Sequence, residues 1–129
     1  MMSSRFAMKF TELERDVLRW IVQNSDDEAL VQQLLNAKPR SRKFTGCGSF
    51  TDLRVPPRSP KTRKRVYHEE LPVIKSPELE SIVGSVLFCE AGVAATLEFC
   101  VIGPGSFPQV LRSWELEPWP KQPTRPPGG

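Results

Sequence analysis

Gly84-Ser85-Val86-Leu87-Phe88-Cys89-Glu90, then Ala91-Gly92, then Val93-Ala94-Ala95-Thr96-Leu97-Glu98-Phe99-Cys100-Val101-Ile102 is the stretch that decides the fold. Two runs rich in β-branched and aromatic residues flank a two-residue break, the pattern of a β-hairpin with a tight turn. Val86, Phe88, Leu97, Phe99 and Val101 are expected to share one packed face. Downstream, Ser113-Trp114-Glu115-Leu116-Glu117 alternates and reads as a last strand. The residues from 120 on, ending Lys121-Gln122-Pro123-Thr124-Arg125-Pro126-Pro127-Gly128-Gly129, carry too little apolar side chain to fold and read as a disordered tail.

Upstream of the hairpin the period changes from two to about 3.6. Residues 1–10 read as a leader. Thr11-Glu12-Leu13-Glu14 is a capping box, and Leu13, Val17, Leu18 and Ile21 follow at helical spacing. Ser25-Asp26-Asp27-Glu28 repeats the signal, with Ser25 as cap and Glu28 closing the box. Leu30, Val31, Leu34 and Leu35 form the second apolar stripe, and Lys38-Pro39 ends the helix. The segment Lys43 to Val55 predicts one bent strand or two short ones, with Gly46 or Gly48 at a bulge. Pro56 to Lys64 reads as an exposed loop, and Val66 to Leu71 as a further strand. The expected fold is α+β: a pair of short helices, then an antiparallel sheet with a C-terminal hairpin, in one domain over residues 11–119.

The 129 residues carry a net charge of +3, but the charge is unevenly placed. Between Lys38 and Arg65 stand ten basic residues and one acid, Asp52, while acids dominate elsewhere. The nine candidates for phosphate contact are Arg58, Lys61, Arg63, Lys64 and Arg65 in the loop, with Lys38, Arg40, Arg42 and Lys43 before it. A solvated loop folding back onto the chain's own acids explains the same residues. No aromatic side chains interleave the loop as a single-strand stacking platform would need.

Signals for chemistry are sparse. Cys47, Cys89 and Cys100 are an odd number at wide spacing, and His68 is the only histidine, so no zinc set is expected. Gly46-Cys47-Gly48 runs into strand-like residues rather than a helix, which argues against a phosphate-cradling loop and any dinucleotide cofactor. A Cys–His arrangement would have to join His68 to a distant cysteine and to Glu69 or Glu70. No apolar run approaches the ~20 residues of a membrane span. A cytoplasmic, non-enzymatic protein that binds another protein is the expectation. The alternatives are nucleic-acid binding through the basic loop and an immunity-like or inhibitor protein that docks on one partner.

Phe44-Thr45-Gly46, Gly48, Phe50-Thr51-Asp52 and Val55-Pro56, then Pro77-Glu78-Leu79-Glu80, Gly84, Val86-Leu87-Phe88, Gly92 and Leu97-Glu98 resemble a group of small uncharacterised bacterial α+β proteins. The resemblance spans residues 11–117 and implies a helical pair ahead of an antiparallel sheet. It implies no activity. The basic stretch Arg58–Arg65 departs from the group's pattern in being longer and more positive.

Overall fold

The computed structural model describes residues 8–120. Helices α1 (Glu12–Asn24) and α2 (Glu28–Leu35) precede seven strands. These are β1 (Lys38–Phe44), β2 (Gly48–Arg54), β3 (Val66–Tyr67), β4 (Pro72–Lys75), β5 (Val83–Glu90), β6 (Val93–Val101) and β7 (Glu115–Pro118). They form one antiparallel sheet in the order β1-β2-β6-β5-β4-β7, with β3 and β4 sharing one edge of β5. The α+β architecture is the one the sequence predicts. The expected strand from Val66 to Leu71 is shorter, ending at Tyr67, and Pro72–Lys75 forms a strand of its own.

The α1 capping box forms as expected: Glu14 N–H donates to Thr11 Oγ1 at 3.1 Å and Thr11 N–H to Glu14 Oε1 at 2.9 Å. The second cap is Asp27, not Ser25. Asp27 Oδ1 accepts the N–H groups of Ala29 and Leu30, whereas Ser25 ends α1, its N–H returning to Ile21 O at 2.8 Å. One short linker must finish one helix and start the next, and Ser25 is used by the first.

The helices lie on one face of the sheet. Leu13, Val17, Leu18, Ile21, Leu30 and Leu34 pack against Leu53, Tyr67, Ile74, Val83, Leu87, Leu97 and Phe99. This corrects the expected hairpin face. The turn is as read: Ala91 and Gly92 both have positive φ, 50° and 79°, as a type I′ turn requires. Cys89 pairs with Ala94, but Phe88 pairs with Thr96, so Ala95 is an extra residue in β6. That bulge slips the register by one, and a slip of one exchanges faces. Leu97, Phe99 and Val101 therefore share their face with Val83, Ser85 and Leu87, while Val86 and Phe88 point the other way.

The central glycines are not at a bulge; they make the β1–β2 turn. Thr45 N–H donates to Gly48 O at 3.0 Å across Gly46 and Cys47, and Gly46 has φ +86°. The turn carbonyls hold the end of β6 and the chain after it: Val101 N–H donates to Cys47 O and Phe107 N–H to Gly46 O, both at 2.8 Å. The bulge in this hairpin lies instead at Arg40, between Pro39 and Ser41.

Gly48 and Gly46 should respond differently to alanine. A Cβ at Gly48 would stand 1.9 Å from Phe99 O, a backbone atom, whereas Gly46 has open space around it. Gly48→Ala is expected to cost about 3 kcal/mol or more, and Gly46→Ala only the left-handed backbone penalty of about 1–2 kcal/mol. Urea midpoints measured on both variants check this ordering; equal losses would contradict it.

Candidate functional site

Three buried polar groups tie the helical segment to the rest of the chain. The first is Glu14, which lies beneath the sheet as well as closing its capping box. Its carboxylate accepts Arg42 Nε at 2.7 Å, Arg42 Nη2 at 2.5 Å and Thr51 Oγ1 at 2.6 Å. This bidentate pair raises the Arg42 guanidinium above its ordinary value through its hydrogen bonds to Glu14. The second is Gln33, fully buried in α2. Its Nε2 donates to Pro60 O at 2.6 Å and Gly92 O at 2.8 Å, and its Oε1 accepts Ala94 N–H at 2.7 Å. The third is Asp27, whose Oδ2 accepts Tyr67 Oη at 2.5 Å and Arg63 N–H at 3.4 Å.

These groups determine where the nine candidate cations go. The basic loop is not a free arm, because its backbone is pinned along the tip of the β5–β6 hairpin. Gln33 holds Pro60, Thr62 N–H donates to Gly92 O at 2.8 Å, Asp27 holds Arg63, and Arg65 O accepts Cys89 N–H at 2.7 Å. The side chains of Arg58, Lys61, Arg63 and Arg65 are exposed and have no acidic partner among the described residues. Lys64 pairs with Glu70 at 2.6 Å, which raises its pKa.

Lys38, Arg40 and Lys43 line exposed β1 at the edge of the sheet, and Arg42 is committed to Glu14. Arg40 and Arg54 share a depression with Glu90 and Val93, next to the hairpin tip where Lys61 packs on Gly92. Arg40, Arg54 and Lys61 thus come to one end of the molecule. Lys43 lies at the opposite end of β1, beside the Gly46 turn.

The second surface is the face of the sheet away from the helices. Cross-strand pairing sets its rows: Ser41, Asp52, Thr96, Phe88 and Val66 in one, Lys43, Phe50, Glu98 and Val86 in the next. Asp52 is satisfied within its row by Ser41 and Thr96 hydroxyls, each at 3.0 Å. Trp119 covers one end, lying against Gly84 and 5.9 Å from the His68 ring. The middle is uncovered, and Phe50 and Val66 are 38% and 44% exposed. Glu98 lies between Phe50 and Val86 with no hydrogen-bond partner among the described residues, and burial pushes its carboxyl above the ordinary value. The place of Glu98 on this face follows from the bulge.

The candidates for cysteine chemistry stay apart. Cys47 is exposed in the β1–β2 turn, Cys89 is buried in the core, and His68 packs on Trp119. Burial raises the thiols of both Cys89 and Cys100, the opposite of nucleophile activation. Among the described residues no group of His, Cys, Asp and Glu is placed to hold a metal, and no helix is long and apolar enough to cross a membrane.

The Asp27–Tyr67 bond gives a pH signature. Burial, reinforced by the bond to Asp27, pushes the Tyr67 hydroxyl from 10.0 to about 12. Burial also raises Asp27, but hydrogen bonds from Tyr67, Leu30, Arg63 and Ala29 together outweigh it and hold its carboxyl below the ordinary value. The folded state keeps the tyrosine proton more tightly than the unfolded chain, so this stabilisation is complete below pH 10 and lost as pH rises towards 12. Denaturant titrations across that window should show stability falling in the native protein and staying flatter in Tyr67→Phe. Parallel slopes would contradict the assignment.

No protein-family model, curated protein or solved structure matches this chain.

Proposed function

We propose that the protein is a non-enzymatic binding protein whose contact surface is the uncovered face of the sheet. The observation that carries this reading is Glu98, a carboxylate without a partner among the described residues, held among Phe50, Val86 and Phe88 on the part of the face that Trp119 leaves uncovered. An antiparallel sheet can leave one face to solvent, but that face is then normally polar. The occupant that matches this one is a protein surface presenting Lys or Arg amid apolar side chains. Such a partner would bury the aromatics and supply Glu98 with a charge-assisted bond. The resemblance to small bacterial α+β proteins is compatible with a cytoplasmic accessory role and adds no activity to it.

A photo-reactive residue placed at Phe50 in the full chain, in its native cells, tests this. A discrete adduct with another protein is expected there and not from Leu35, an exposed apolar residue on α2. Glu98→Gln should lower its yield roughly tenfold, the loss of one charge-assisted bond. Equal adducts from both positions, none from Phe50, or only adducts between two copies of this chain would sink the reading.

A second reading is supported by the pinned loop. Its backbone is fixed while Arg58, Lys61, Arg63 and Arg65 project without acidic partners, an arrangement suited to phosphates of a nucleic acid. Fluorescence anisotropy with single- and double-stranded DNA and RNA over a salt series checks it. Steep salt dependence, flattened in a variant neutralised at Arg63, Lys64 and Arg65, is expected. Absence of binding at low salt would retire it.

A further inference from the structure

After β6 the chain crosses back over the helix-covered side as a strap, residues 107–114, fastened at both ends. Phe107 N–H is held by Gly46 O at 2.8 Å. At the far end, Arg112 and Ser113 N–H donate to Glu78 Oε2 at 3.0 and 2.8 Å, and Trp114 Nε1 donates to Asp16 Oδ2 at 2.9 Å. Among the described residues, the backbone N–H groups of residues 109–111 have no protein acceptor, and Val110 is exposed. The middle of the strap can therefore part from the core without breaking a backbone hydrogen bond.

Beneath it lies a cavity of about 240 Å³. Its walls are largely apolar, formed by Phe44, Phe99, Phe107, Leu111 and Trp114, and its polar lining comes from Arg42 and Ser49 together with Thr11, Glu12, Glu14 and Gln109. An apolar cavity of about 150 Å³ is already enough for benzene. Ser49 is only 2% exposed, yet its hydroxyl has no protein partner among the described residues. Arg42 gives Nε and Nη2 to Glu14 and has no protein partner for Nη1 among those residues. Glu14 is saturated by Arg42, Thr51 and Thr11 N–H, so its lone pairs are already used.

Ser49 and Arg42 therefore offer donors, the Arg42–Glu14 pair is balanced in charge, and Glu12 adds a negative charge to the lining. A ligand carboxylate would add an uncompensated negative charge beside Glu14, and a ligand ammonium would meet Arg42. We propose that this cavity binds a small neutral molecule with an aromatic body and one oxygen acceptor, which takes hydrogen bonds from Ser49 Oγ and Arg42 Nη1 while its ring packs between Phe99, Phe107 and Leu111. The site is independent of the sheet face, lying on the other side of the sheet.

Acetophenone, toluene and benzoate titrated into the full-length protein, read by amide chemical shifts, form the test. Acetophenone is expected to shift the signals of Ser49, Phe99, Phe107 and Leu111, with toluene and benzoate each binding roughly tenfold more weakly. Ser49→Ala should reduce acetophenone affinity by about three- to tenfold. Leu111→Trp, a change on the strap that fills the space, should abolish binding while the spectrum remains that of the folded protein. No shift with acetophenone, shifts mapping elsewhere, or toluene or benzoate binding as well as acetophenone would overturn the proposal.

Discussion

One extra residue organises this molecule. Ala95 has no partner in β5, and the register beyond it is displaced by one. Because side chains alternate with a period of two, that displacement decides which half of the hairpin faces the helices. It brings Leu97 and Phe99 onto the core beside Leu87 and Ser85. By the same step it turns Phe88, Val86 and Glu98 outward. The core and the candidate contact face are thus two results of one backbone event, and neither can be changed without the other.

Buried polar side chains, and not apolar packing alone, hold the helices to the sheet and to the basic loop. Glu14, Gln33 and Asp27 come from the two helices, and each reaches across to a different stretch of chain. Gln33 uses three of its hydrogen-bonding positions on the loop, the hairpin turn and β6, so α2, residues 60–62 and the turn are fixed together. Satisfied groups of this kind specify one arrangement, because any alternative would leave them unpaired in a low-dielectric interior. The fold therefore holds a charged, glycine- and proline-rich middle in place without disulfides, its three cysteines being free.

The sequence made the architecture readable where the signal was local. The α1 capping box and stripe, the Leu30 and Leu34 half of the α2 stripe, the Ala91-Gly92 turn and the last strand all depend on neighbours within a few residues, whereas Leu35, read as part of that stripe, is exposed. What escaped depended on distant partners. Nothing near Ala95 announces a bulge, so the alternation of Val86, Phe88, Leu97 and Phe99 suggested a single face. Ser25 and Asp27 are both good caps, and only the need to finish α1 separates them. Arg42 reads as one of several cations in a basic run until Glu14, 28 positions earlier, is brought under it. Glu98 is unremarkable until the register places it among aromatics.

The edges of the sheet carry a further consequence. At one end, β1 presents Lys38, Arg40 and Lys43 with Pro39 and a bulge; at the other, β7 presents Glu115, with Glu117 paired to Lys75 of β4 at 3.1 Å, and Pro118. Opposite charge would draw the edge of one molecule towards the opposite edge of the next, the first step of an open-ended fibre. The bulge and the missing donors at the two prolines deny such an encounter a continuous hydrogen-bond ladder. Any attraction between oppositely charged edges is thereby uncoupled from strand pairing.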